Sequence, residues 1–67
     1  MASPNVAKRI RQTRERRGLT QHALAEKAEL SAIYIRKLEA GERESPSLDA
    51  LERIAKVLGV KLVDLLK

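Results

Sequence analysis

Arg36 and Lys37 follow Ile33 at helical spacing, so one outward stripe of a helix carries two long cations. Such groups donate hydrogen bonds to anions and to acceptor edges. Thr20, Gln21 and His22 stand at a second helix start, where free backbone N–H groups and the positive dipole end also favour an anion. The remaining inventory is poor in reactive groups. His22 is the one histidine, and cysteine, tryptophan and phenylalanine are absent. A catalytic triad, a His-rich cage or a thiolate metal site is hard to build from this set. We therefore expect no enzyme and no cofactor, and we read His22 as an exposed or phosphate-neighbouring side chain rather than a metal ligand.

The formal net charge of +5 favours polyanionic partners, meaning nucleic acid or an acidic membrane surface. It is unevenly held. Lys8, Arg9, Arg11, Arg14, Arg16 and Arg17 face Glu15 alone within residues 1–20, a net of +5. The plain alternative for this cluster is a solvated helix face. No apolar run approaches the ~20 residues of a membrane span. No signal peptide is visible either, which points to the cytosol. A chain of 67 residues supports one domain with a modest core.

The elements that must position these groups are short helices with clear punctuation. Ser3-Pro4 reads as an N-cap followed by a first helical proline. Val6, Ile10 and Arg14 then recur on one face, and Gly18 closes the helix. Thr20 caps a second helix to about Ala28, with Leu24, Ala25 and Ala28 inward. Glu29 to Ser31 leaves room only for a tight turn. Ser31 caps a third helix from Ala32 to about Ala40, closed by Gly41. Its inner face is Ile35, Leu38 and Glu39; its outer face is Ile33, Arg36, Lys37 and Ala40. Residues 41–47 read as a loop. Ser47 caps a fourth helix whose apolar stripe is Leu48, Leu51, Ile54, Ala55 and Leu58, stopped by Gly59. Val60 to Leu66 reads as a last short helix. The class is all-α, with no alternating strand pattern.

Two short helices joined by a three-residue turn form the helix-turn-helix arrangement, in which the second helix enters the DNA major groove. Residues 18–42, GLTQHALAEKAELSAIYIRKLEAGE, resemble that motif in the lambdoid phage repressor and Cro family, the XRE-type regulators. The matching features are Gly18-Leu19-Thr20-Gln21, Leu24-Ala25, Ser31, Tyr34-Ile35 and Leu38-Glu39-Ala40-Gly41. The tail PSLDALERIAKVLGVKLVDLL is similar to the fourth and fifth helices of the family. The resemblance covers about residues 5–66. It implies a compact five-helix bundle that binds a two-fold operator as a dimer, acting as a repressor or controller of transcription.

The resemblance also implies roles. Gln21 matches a glutamine that contacts a phosphate and braces the recognition helix. Arg14 and Glu39 both fall on inward faces, where two lone charges are costly but a pair satisfies its own hydrogen bonds. The family has an arginine–glutamate pair at matching places, so a structural salt bridge between helices 1 and 3 is expected. Arg36 and Lys37 are the expected base or phosphate contacts, joined by Thr20, Gln21, His22, Ser31 and loop residue Arg43. Ala32 and Ile33 stand where the family often carries polar readers. They can touch a thymine methyl group without hydrogen-bond discrimination, and Ile33 equally suits a protein contact. Tyr34 is either a core residue whose hydroxyl needs a partner or an edge residue reaching a phosphate. Glu29 replaces a frequent turn glycine, so a left-handed residue or an altered turn is expected.

Leu62 and Leu65 are expected in the core, leaving Val63 and Leu66 for a two-fold interface. A dimer sets its recognition helices about 34 Å apart. No ligand-binding domain is expected, so concentration, dimerisation or a partner protein would set the regulation. The competing reading is a protein-interaction module, an antitoxin or adaptor on the same fold. A membrane-surface helix is disfavoured by the glycine stops.

Overall fold

The computed structural model describes residues 4–42 and 46–66. Ser3, the expected first cap, and Arg43, the expected loop contact, lie outside the described residues. Five helices follow one another: α1 Pro4–Arg16, α2 Gln21–Ala28, α3 Ala32–Glu39, α4 Leu48–Leu58 and α5 Leu62–Leu66. No strand occurs among the described residues.

Helix starts follow from hydroxyl chemistry. The side chains of Thr20, Ser31 and Ser47 each accept a hydrogen bond at 3.0 Å from the backbone N–H three residues on. Each satisfies a donor that the helix ladder leaves open. Helix ends share one device. A left-handed residue reverses the chain, and the next N–H bonds back to a carbonyl five residues upstream. At Gly18 the Leu19 N–H reaches the Arg14 carbonyl; at Gly59 the Val60 N–H reaches that of Ala55. Glu29 does the same work without being glycine. Its φ of 59° and ψ of 42° are left-handed, and the Leu30 N–H bonds to the Ala25 carbonyl at 2.8 Å. The tight turn is thus kept, with the strain that a side chain brings to this region.

α2 packs mainly on α3 and α4, whereas α1 lies against α3 and α5. Their shared core holds Ile10, Leu24, Ile35, Leu38, Ile54, Leu58 and Leu65, all essentially without exposure. Two expectations need correction. The last helix begins at Leu62 rather than Val60, because the Val60 N–H is committed to closing α4. The Lys61 N–H donates to Asp64 Oδ2 at 3.1 Å and marks the new start. Leu48 has the spacing of the α4 stripe but is 59% exposed. It is the first residue of α4, beyond the reach of the core, whereas Ala50 in the same turn is buried.

Candidate nucleic-acid interface

α3 is held from behind by a charged cluster. Arg14 Nε donates to Glu39 Oε2 at 2.7 Å, and its Nη2 donates to Oε1 at 3.0 Å. This two-pronged geometry matches a planar guanidinium to a carboxylate. The Glu39 side chain is only 2% exposed. The expected salt bridge between α1 and α3 is therefore present. Its hydrogen bonds, ahead of the opposing effect of burial, raise the Arg14 pKa above the usual arginine value.

Two further contacts complete the cluster. Arg14 Nη1 donates to the Leu19 carbonyl at 2.7 Å, tying α1 to the chain just past Gly18. Gln21 Nε2 donates to Glu39 Oε1 at 3.1 Å. Neither contact follows from residue spacing along the chain. A signal for the first existed, since a buried guanidinium has five N–H groups and one carboxylate cannot satisfy them all. Gln21 thus joins the N-terminus of α2 to the end of α3. Its position there is half-buried, with Thr20 and His22 exposed beside it. The N–H groups of Gln21 and His22 precede the helix's own ladder, the feature that suits a helix start to an anion.

Beyond this seam α3 presents Ile33, Arg36 and Lys37 outward, all exposed. Ile33 is 56% accessible, a large apolar side chain left in solvent. Ser31 is exposed at the start of the helix, while Ala32 is half-buried and packs against the core. Tyr34 also packs against the core, and its hydroxyl oxygen is buried. The edge position with the hydroxyl offered to a phosphate is therefore not adopted; the ring takes the inward placement. The lone histidine belongs to no metal-binding group among the described residues. At the far end, Leu65 is in the core and Leu62 is half-buried, while Val63 and Leu66 are 54% and 49% exposed.

A helix-turn-helix family model matches residues 10–65. The immunity repressor protein of Bacillus phage phi105 is 46% identical over 57 residues, 85% of this chain and 39% of that protein. The transcriptional regulator SinR of Bacillus subtilis is 34% identical over 61 residues, 91% of this chain and 55% of SinR. The chain therefore spans between two-fifths and about half the length of these relatives. A crystal structure of SinR in complex with DNA superposes with a TM-score of 0.89 at 34% identity, covering 92% of this chain and 98% of that one. A SinR–SinI protein complex gives 0.90 at 34% identity, covering 92% and 60%. The restriction-modification controller protein C.AhdI from Aeromonas hydrophila gives 0.86 at 30% identity, covering 91% of both chains. With its capped helices, three-residue turn and Arg14–Glu39 seam, this chain belongs to the helix-turn-helix family of the phage repressor and Cro type.

Proposed function

We propose that this chain is a sequence-specific double-stranded DNA-binding regulator of transcription, a repressor or controller that occupies a palindromic operator as a homodimer. The observation that carries the reading is the two-sidedness of α3. One side is anchored through Glu39 to α1 and α2, and the other offers Ile33, Arg36 and Lys37 to solvent. A helix so held fits a major groove about 12 Å wide. Arg36 and Lys37 donate to guanine edges or phosphates, and Ile33 meets a thymine methyl group. Thr20, Gln21, His22 and Ser31 contact the flanking backbone from the two helix starts. Ala32 lines the edge of the same surface, and Arg43 is proposed from the sequence as a further phosphate contact. Val63 and Leu66 supply the two-fold contact. The protein works in the cytoplasm, without catalysis or cofactor; among the described residues no helix is long and apolar enough to cross a membrane.

Selection from a randomised duplex library at two salt concentrations tests this. A palindromic site whose affinity falls steeply with salt is the expected result. Equal retention of all duplexes overturns sequence specificity. A second reading, an antitoxin-like or adaptor module, is favoured by the exposure of Ile33. SinR is likewise solved with a protein partner. Under that reading, Ile33→Asp abolishes capture of a protein partner while duplex affinity at moderate salt is negligible throughout.

A further inference from the structure

Glu39 Oε1 receives two donors, Arg14 Nη2 at 3.0 Å and Gln21 Nε2 at 3.1 Å. The second carboxylate oxygen takes Arg14 Nε at 2.7 Å. An ionised carboxylate accepts hydrogen bonds and donates none, so only the nitrogen end of the Gln21 amide can face it. A reversed amide would set its own oxygen against Oε1, acceptor against acceptor. The charge of Glu39 therefore decides which way this amide points.

The backbone end of the same residue is fixed too. Gln21 opens α2, and the Thr20 hydroxyl just before it caps the helix by accepting the Ala23 N–H at 3.0 Å. Gln21 is thus tied at both ends, by the cap and by the bond across to α3. It is half-buried, so part of it remains open to solvent.

An amide nitrogen carries two hydrogens. One is spent on Glu39. The other is the single side-chain donor that Gln21 has left, and its oxygen is turned away from Glu39 as an acceptor. In a helix-turn-helix the first of the two helices crosses the DNA backbone, whose phosphate oxygens accept. A phosphate meeting this side chain must take the remaining Nε2 hydrogen. The carboxylate behind the amide does not repel it strongly, because both of its oxygens are paired with Arg14.

Resting on the DNA-binding reading above, we propose that Glu39 is a positioning residue for DNA: it holds the Gln21 amide so that the second Nε2 hydrogen meets one phosphate of the operator backbone. Glu39 itself never touches the duplex. A side chain already held in its bound orientation surrenders less freedom on binding.

The test uses the whole chain and an operator obtained by library selection. The Gln21 side-chain amide is followed by NMR. One Nε2 hydrogen should stand apart from free-amide positions in the unbound protein, and the other should move on operator addition. Operators carrying a single neutral methylphosphonate at each position in turn identify the phosphate. Wild type should lose affinity at one such position in each half-site. Gln21→Met should bind the unmodified operator about tenfold more weakly and be indifferent to that position. The pair Arg14→Met with Glu39→Met exchanges the ion pair for apolar groups of similar size, a replacement that folds often tolerate. It should release the amide, return both hydrogens to free-amide positions and weaken operator binding about threefold or more. Adding Gln21→Met to that pair should then cost less than it does in wild type.

Thermal melts verify that each variant is folded, and the wild-type spectra with Gln21→Met decide the matter if the pair variant is not. A second hydrogen that stays in place on operator addition, or Gln21→Met binding as tightly as wild type, overturns the proposal and leaves the reading of α3 standing. A loss spread evenly over all phosphates overturns it as well, since Gln21 is then a structural brace only. Full sensitivity to the same phosphate in the pair variant removes Glu39 from the contact. Failure to select any operator, by contrast, removes the parent reading.

Discussion

The inward and outward sides of α3 treat charge in opposite ways. Inward, Glu39 is nearly sealed from water and receives N–H donors from Arg14 and Gln21. Outward, Arg36 and Lys37 stand in solvent beside an uncovered Ile33. The buried charge is satisfied within the fold and fixes where the helix sits. On the DNA-binding reading proposed above, the exposed charges meet an external acceptor. The difference teaches that stability and recognition are separable along one eight-residue helix, so substitutions on its two sides should separate as well.

The sharpest break is Glu39→Ala. It strands the Arg14 guanidinium at a buried seam, and we expect a loss of about 3 kcal/mol in a denaturant melt, with operator binding lost in step. A melt superimposable on wild type would show that the seam contributes nothing. The sign of the pH effect follows from Arg14. Its folded pKa is raised, chiefly by hydrogen bonding to Glu39, so its contribution is complete below the unfolded arginine value and lost only as pH rises through the folded one. Protonation of Arg14 therefore adds no slope to stability across neutral pH, which melts at roughly pH 6 and pH 9 would check.

On the outward side, Arg36→Ala or Lys37→Ala should leave the melt in place and reduce operator affinity by about 1–3 kcal/mol if the side chain reads a base. Uniform weakening on every sequence would assign the residue to phosphate instead. Ser31→Ala removes the cap that accepts from the Tyr34 N–H and should cost about 1 kcal/mol of stability. The smallest effect has the opposite sign. Glu29→Gly should stabilise by up to about 1 kcal/mol by relieving a left-handed side chain in the turn, measured as a raised Tm. An unchanged or lowered Tm would mean that the Glu29 side chain offsets its own strain.

Much of this architecture was legible in the residues because its punctuation is local. Hydroxyls at Thr20, Ser31 and Ser47 announce helix starts, and Gly18 and Gly59 announce ends, through interactions that span only a few residues. The Arg14–Glu39 pair was legible for a related reason: two charges landed on inward faces and each required a partner. The Gln21–Glu39 hydrogen bond depends on how α2 is set against α3, which no spacing within either helix specifies. Leu48 misled because periodicity fixes the direction of a side chain and not whether a neighbour extends far enough to cover it. Tyr34 sits at the border between the two sides of α3, where a small rotation decides between solvent and core. The apolar character of Val60 suits both a helix and the residue after a left-handed closure, so it does not separate the two.

The left-handed closures at Gly18, Glu29 and Gly59 also bear on kinetics. By reversing the chain within a few residues, they make successive helices such as α2 and α3 or α4 and α5 immediate neighbours in space. Few large loops must be closed before burial rewards the chain, and such helical topologies fold within microseconds to milliseconds. A copy that opens transiently should thus regain its shape quickly, despite the slender margin of so small a core.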